Sequence, residues 1–82
     1  MNFRDKDILL AFGKNLKKIR SQKNFTQERL AYTSNITLSQ IARIETGKIN
    51  PTLCTIITIA KTLGVEYKEL FDFEIPDISL NS

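Results

Sequence analysis

Residues 26–45 read TQERLAYTSNITLSQIARIE. Thr26 is a good helix N-cap, and Gln27 and Glu28 follow it as helix formers. Leu30 and Ala31 give this helix its inner side. Asn35 then interrupts. Asn tolerates positive φ second only to Gly, so a left-handed turn fits there. Thr37 caps a further helix that runs to about Glu45. Ile41 and Ile44, three apart, share one apolar side of it. Its other side carries Thr37, Leu38, Ser39, Ala42 and Arg43: one cation, two hydroxyls, one apolar tip and no acid. A face that met only water would mix Glu with Lys.

The flanks supply the rest of a small bundle. Ile8, Phe12, Leu16 and Ile19 step by four, four and three, the stripe of a first helix over about residues 6–22. Asp5 and Asp7 lie near its positive end, and Lys17, Lys18, Arg20 and Lys23 near its negative one. Gly13 weakens its interior unless a neighbour packs closely there. After the third helix, Gly47 opens the loop GKINPT, where Pro51 disfavours a helical Asn50. Asn50 or Thr52 caps a fourth helix whose apolar set is Leu53, Ile56, Ile57, Ala60 and Leu63. Its β-branched run 55–59 makes a buried strand a rival, but the 3.6-residue period and Gly64 favour helix. Val65, Tyr67, Leu70 and Phe71 indicate a short fifth helix, and an acidic tail interrupted by Pro76 covers about residues 72–82. The expectation is an all-α, compact five-helix bundle forming one domain over residues 1–82.

Totals narrow the chemistry. The chain has 82 residues, 41% of them hydrophobic, which suits one small globular domain. It has no His and a single cysteine, Cys54, so no intrachain disulfide or CxxC pair exists. No nucleophile elbow, phosphate-cradling Gly loop or paired metal ligands appear, so an enzyme is not expected, nor a metal or cofactor. The N-terminus is not a secretory signal, and no apolar run approaches the roughly 20 residues of a membrane span, so a cytoplasmic protein is expected. The net charge is +3 but uneven: residues 1–48 hold ten Lys/Arg and four Asp/Glu, whereas residues 49–82 hold two Lys and five Asp/Glu. A basic front half attracts a polyanion.

The two helices within residues 26–45 are joined by about three residues, which is helix-turn-helix spacing. Ala31 suits a close crossing, and Leu30, Ile36, Ile41 and Ile44 an apolar wedge. The second helix of such a pair fits the DNA major groove when its outer side is free of acids. A plain α-hairpin with a polar face is the alternative.

The segment FGKNLKKIRSQKNFTQERLAYTSNITLSQIARIETGKINPTLCTIITIAKTLGVEYKELF, residues 12–71, resembles the Cro and phage-repressor type of helix-turn-helix domain, the XRE family. The resemblance rests on LKKIR, FTQERLA, SQIARIETGKINPTL and AKTLGVEYKELF occurring in order. It implies a lambda-repressor-like fold, binding to double-stranded DNA as a homodimer on a two-fold site, and major-groove reading by the third helix. Thr37, Leu38, Ser39 and Arg43 match positions that reach bases or neighbouring phosphates. Arg43 suits guanine O6 and N7, or else a phosphate, or an ion pair with Glu28 or Glu45. Leu38 departs from the polar residue many relatives carry, and a thymine methyl is its natural partner. Gln27 matches the glutamine that holds the DNA backbone and buttresses the first recognition-helix residue. Gln40, Thr46, Lys48 and Asn50 match further backbone positions. Arg20 and Glu45 match a structural ion pair.

Tyr67, Phe71, Phe73 and Ile75 would bury poorly in so small a core. They cover the bundle's end or form a dimer interface, and the dimer is favoured because one recognition helix reads few bases. The resemblance implies a transcription regulator, such as a repressor. Restriction–modification controllers are similar in length and in the opening LLAFGKNLKKIR; small phage regulators and antitoxins are further comparisons. RNA polymerase would be the partner of an activator. The rival class is an antitoxin-like interaction module whose fifth helix and tail hold a toxin partner.

Overall fold

The computed structural model describes residues 3–74, with side chains from Asp5 onward. Five helices follow one another: α1 (Phe3–Gln22), α2 (Gln27–Ser34), α3 (Leu38–Glu45), α4 (Leu53–Leu63) and α5 (Tyr67–Leu70). No strand occurs among the described residues. The helix alternative for residues 55–59 is therefore the one adopted. Helix α1 begins three residues earlier than its stripe indicates, because nothing in residues 3–5 breaks a helix and Asp5 suits the first turn.

Local signals set the boundaries. Thr26 Oγ1 accepts from the Arg29 N–H at 3.0 Å, and Thr52 Oγ1 from the Thr55 N–H at 3.2 Å. Thr52, not Asn50, is thus the cap of α4. Asn35 adopts φ 59°, ψ 36° and ends α2 in the left-handed region. A second left-handed residue, Asn24 at φ 62°, ends α1 without having stood out in the sequence.

The core joins Phe12, Leu16 and Ile19 of α1 to Leu30, Ala31, Ile41, Ile44, Ile59, Ala60, Leu63 and Leu70. Two details differ from the periodic reading. Leu53 is 70% exposed, and Ile59, absent from the expected apolar set, is fully buried. Residues 53–60 contain so many apolar side chains that several helix phases fit, and packing against the bundle selects the one facing Ile59 inward. Asn15, in the middle of α1, is also buried. Its Nδ2 donates to the carbonyls of Glu69 and Leu70, each at 2.9 Å, and so fastens the four-residue α5 to α1.

Gly13 is where α1 meets the end of α3. A Cβ there would lie 2.5 Å from the Glu45 carbonyl oxygen and closer still to that of Ile44. Both are backbone atoms and cannot swing away. Alanine gains about 1 kcal/mol of helix propensity over glycine, but the overlap forces the two helices apart. Gly13→Ala is expected to destabilise the domain by a net of about 1–3 kcal/mol in urea unfolding followed by circular dichroism.

Candidate nucleic-acid interface

Helices α2 and α3 are held by a buried polar network. Arg20 donates from Nε to Glu45 Oε2 at 2.6 Å, from Nη2 to Glu45 Oε1 at 3.1 Å and from Nη1 to the Phe25 carbonyl at 2.7 Å. Gln27 Nε2 donates to Glu45 Oε1 at 2.9 Å. Arg20 and Glu45 are 8% and 5% exposed, so the pair is screened from water. One carboxylate thereby joins α1, the loop before α2, the start of α2 and the end of α3. Gln27 buttresses the last residue of α3 rather than its first. Its amide has one further N–H to offer outward.

The turn presents the outer side of α3. Ile41 and Ile44 are buried, while Ser39, Gln40 and Arg43 are exposed, Ala42 is half-buried and Leu38 is 43% exposed. Arg43 pairs with neither Glu28 nor Glu45, the latter being taken by Arg20. Beyond the helix, Lys48 and Asn50 are exposed, and the Lys48 N–H donates to the Arg43 carbonyl at 2.8 Å, which fixes the loop to α3. Ser39, Ala42, Arg43, Thr46 and Lys48 together line an open recess.

These side chains differ in which of their hydrogen-bonding groups are already used. Thr37 Oγ1 accepts from the Gln40 N–H at 3.1 Å and donates to Gln40 Oε1 at 3.3 Å. Thr46 Oγ1 donates to the Ala42 carbonyl at 2.9 Å. Each hydroxyl has one proton, so both are spent within the helix. Thr37 is committed to capping, and Thr46 has no donor left for a phosphate. Gln40 spends only its carbonyl oxygen, which leaves its NH₂ free. The unspent side-chain donors are then the Ser39 hydroxyl, the Gln40 amide and the Arg43 guanidinium on α3, the Lys48 ammonium and the Asn50 amide in the loop after it, and the second N–H of Gln27. Such a set suits acceptors: guanine O6 and N7, and phosphate oxygens.

On and just after α5, Tyr67 and Phe71 are each 49% exposed. Phe73 is half-buried, and the rings of Phe71 and Phe73 stand 5.4 and 6.4 Å from that of Phe12. Phe73 therefore covers its own core. Ile75 lies outside the described residues. Sequence reasoning missed Asn15, and also Arg29, whose guanidinium stacks on Phe25 at 4.2 Å on the outer side of α2. The i, i+4 spacing of Phe25 and Arg29 was the available signal for the latter. Cys54 is exposed, and no cluster of metal-ligating side chains occurs among the described residues. No described helix is long and apolar enough to cross a membrane.

A family model described as a helix-turn-helix domain matches residues 13–74. The chain belongs to this family. It is 41% identical over 68 residues to control protein C.BamHI of Bacillus amyloliquefaciens, covering 82% of this chain and 84% of that one. It is 39% identical over 69 residues to the transcriptional regulator PuuR of Escherichia coli K12, covering 83% of this chain but 37% of PuuR. The crystal structure of the restriction-modification controller protein C.AhdI from Aeromonas hydrophila matches with a TM-score of 0.75 at 36% identity, over 77% of this chain and 96% of that one. These relatives are regulators, not enzymes, and the five-helix fold is that of the regulator structures.

In this helix-turn-helix domain, breaking the Glu45 network is expected to be strongly destabilising. Glu45→Ala leaves the Arg20 guanidinium buried without its counter-charge and should cost about 3–5 kcal/mol in urea denaturation. Arg43→Ala, which removes an exposed and unpaired side chain, should change the same measurement by less than about 0.5 kcal/mol.

Proposed function

We propose that this chain is a sequence-specific DNA-binding transcription regulator that binds a two-fold operator as a homodimer, with α3 in the major groove. The observation that carries this reading is the outer side of α3: acid-free, rich in unspent donors, and mounted on a frame fixed by a buried ion pair. Arg43 and Ser39 read base edges. Lys48, Asn50, Gln40 and the outward N–H of Gln27 hold phosphates and set the register. Two copies place their recognition helices about 34 Å apart, in successive major grooves on one side of the duplex. Tyr67 and Phe71 form the self-association patch.

Among regulators, a restriction–modification controller is the role we favour. Support comes from the similarity to C.BamHI and C.AhdI, which spans most of both partners' lengths. Occupancy of an operator that overlaps a promoter represses by excluding polymerase. The protein acts in the cytoplasm, needs no cofactor and performs no catalysis.

Selection from a random duplex library at near-physiological salt tests the reading. A two-fold motif with fixed half-site spacing is expected; binding that merely fades with salt and enriches nothing would refute it. On the selected operator, Arg43→Ala should lose about 1–3 kcal/mol of discrimination at one base pair per half-site. Lys48→Ala should weaken all sequences alike and lower the salt slope by about one per subunit. Tyr67→Ala should raise the dimer dissociation constant about tenfold in sedimentation equilibrium, with the melting temperature little changed.

A further inference from the structure

Helix α3 carries two parallel rows on its outer side. Ser39 and Arg43, four apart, make a row of donors. Leu38, Ala42 and Thr46, also four apart, make the other. The side chains of this second row offer the solvent no hydrogen-bonding proton. Leu38 has none. The Ala42 carbonyl accepts both the Thr46 N–H at 3.1 Å and the Thr46 hydroxyl at 2.9 Å, so its two lone pairs and that proton are used together. Ala42 is the smallest side chain on this side and sits at the floor of the recess, between Ser39, Arg43, Thr46 and Lys48.

A small apolar floor beside a row of donors has one natural complement in a major groove. The C5-methyl of thymine is the one apolar group on the base edges of unmodified B-DNA. Donors at the recess rim meet purine acceptors, and the floor meets a methyl. We propose that Ala42 is a specificity-determining residue that receives the 5-methyl group of a thymine next to the base pair read by Arg43. This rests on the DNA-reading role of α3. A larger residue at position 42 would fill the recess and hold the base edge away; a polar one would set an unmatched hydroxyl against the methyl. 5-Methylcytosine presents the same methyl at the same carbon.

The experiment uses the full chain and the selected operator, with each thymine of a half-site replaced in turn by uracil, which removes only the methyl. For the wild type, uracil at one position is expected to weaken binding about fourfold, the worth of one buried methyl. In Ala42→Ser that penalty should fall below about 1.5-fold, while in Leu38→Ala it should persist at that position. Ala42→Val supplies a second variant: crowding should make it bind the uracil operator at least as well as the thymine one. A melting curve checks that each variant is folded. No uracil penalty at any position, an operator without thymine beside the Arg43 pair, or a penalty that survives in Ala42→Ser and vanishes in Leu38→Ala overturns the assignment. Replacing the T·A pair by C·G and then by 5-methylcytosine·G separates the two methyl sources. Recovery on methylation extends the contact to any 5-methylpyrimidine; no recovery, with the uracil penalty intact, restricts it to thymine. An operator that is selected and depends on Arg43 but is indifferent to uracil sinks this inference alone. Failure to select any operator sinks the DNA-reading role as well.

Discussion

The carboxylate of Glu45 is the group on which the arrangement depends. It is the only acid in α3, and it lies at the helix's negative end, an unfavourable place for an anion. Burial alone would make it worse. Arg20 and Gln27 reverse the balance by supplying three hydrogen bonds and a full counter-charge. The same contact hides the one negative charge of α3, which would otherwise stand at the edge of the helix's outer side. A structural ion pair thus has an electrostatic consequence outside itself: it leaves the outer side of α3 acid-free. Gly13 belongs to the same constraint, since only a residue without a side chain lets α1 come close enough for Arg20 to reach Glu45.

Holding the helix and offering donors are tasks divided between side chains. Thr37 and the carbonyl of Gln40 close the start of α3, and Thr46 closes its end. These groups give up their hydrogen bonds to the helix, which holds the remaining donors in fixed directions. The unspent donors of Ser39, Gln40 and Arg43 sit on a short, capped helix and would lose little freedom on meeting an acceptor, which lowers the entropic cost of binding one. An eight-residue helix is marginal alone in water, so this order comes from the caps and from burial of Ile41 and Ile44.

Helix α5 follows a similar logic. A four-residue helix has no stability of its own. The two bonds from Asn15 and the burial of Leu70 hold α5, and Phe73 folds back over Phe12. What remains exposed is narrower than the aromatic content of the segment indicates, namely Tyr67 and Phe71.

Much of this was legible in the residues. The caps at Thr26 and Thr37, the left-handed Asn35, the inward Ile41 and Ile44 and the acid-free outer side all follow from local chemistry, because capping and helical period depend on neighbours a few residues away. The phase of α4 was not legible, since consecutive apolar residues leave several faces equally good until the bundle chooses Ile59 over Leu53. Nor was the role of Asn15, whose acceptors lie 54 and 55 residues along the chain. The partner of Gln27 and the folding back of Phe73 likewise depend on which helices meet. The sequence by itself determined which helices form and which side of α3 is polar; the tertiary structure decided which of those polar groups are still free to bind. A hydrogen-bond donor is spent or spared only by what stands opposite it in space, and that is set by packing.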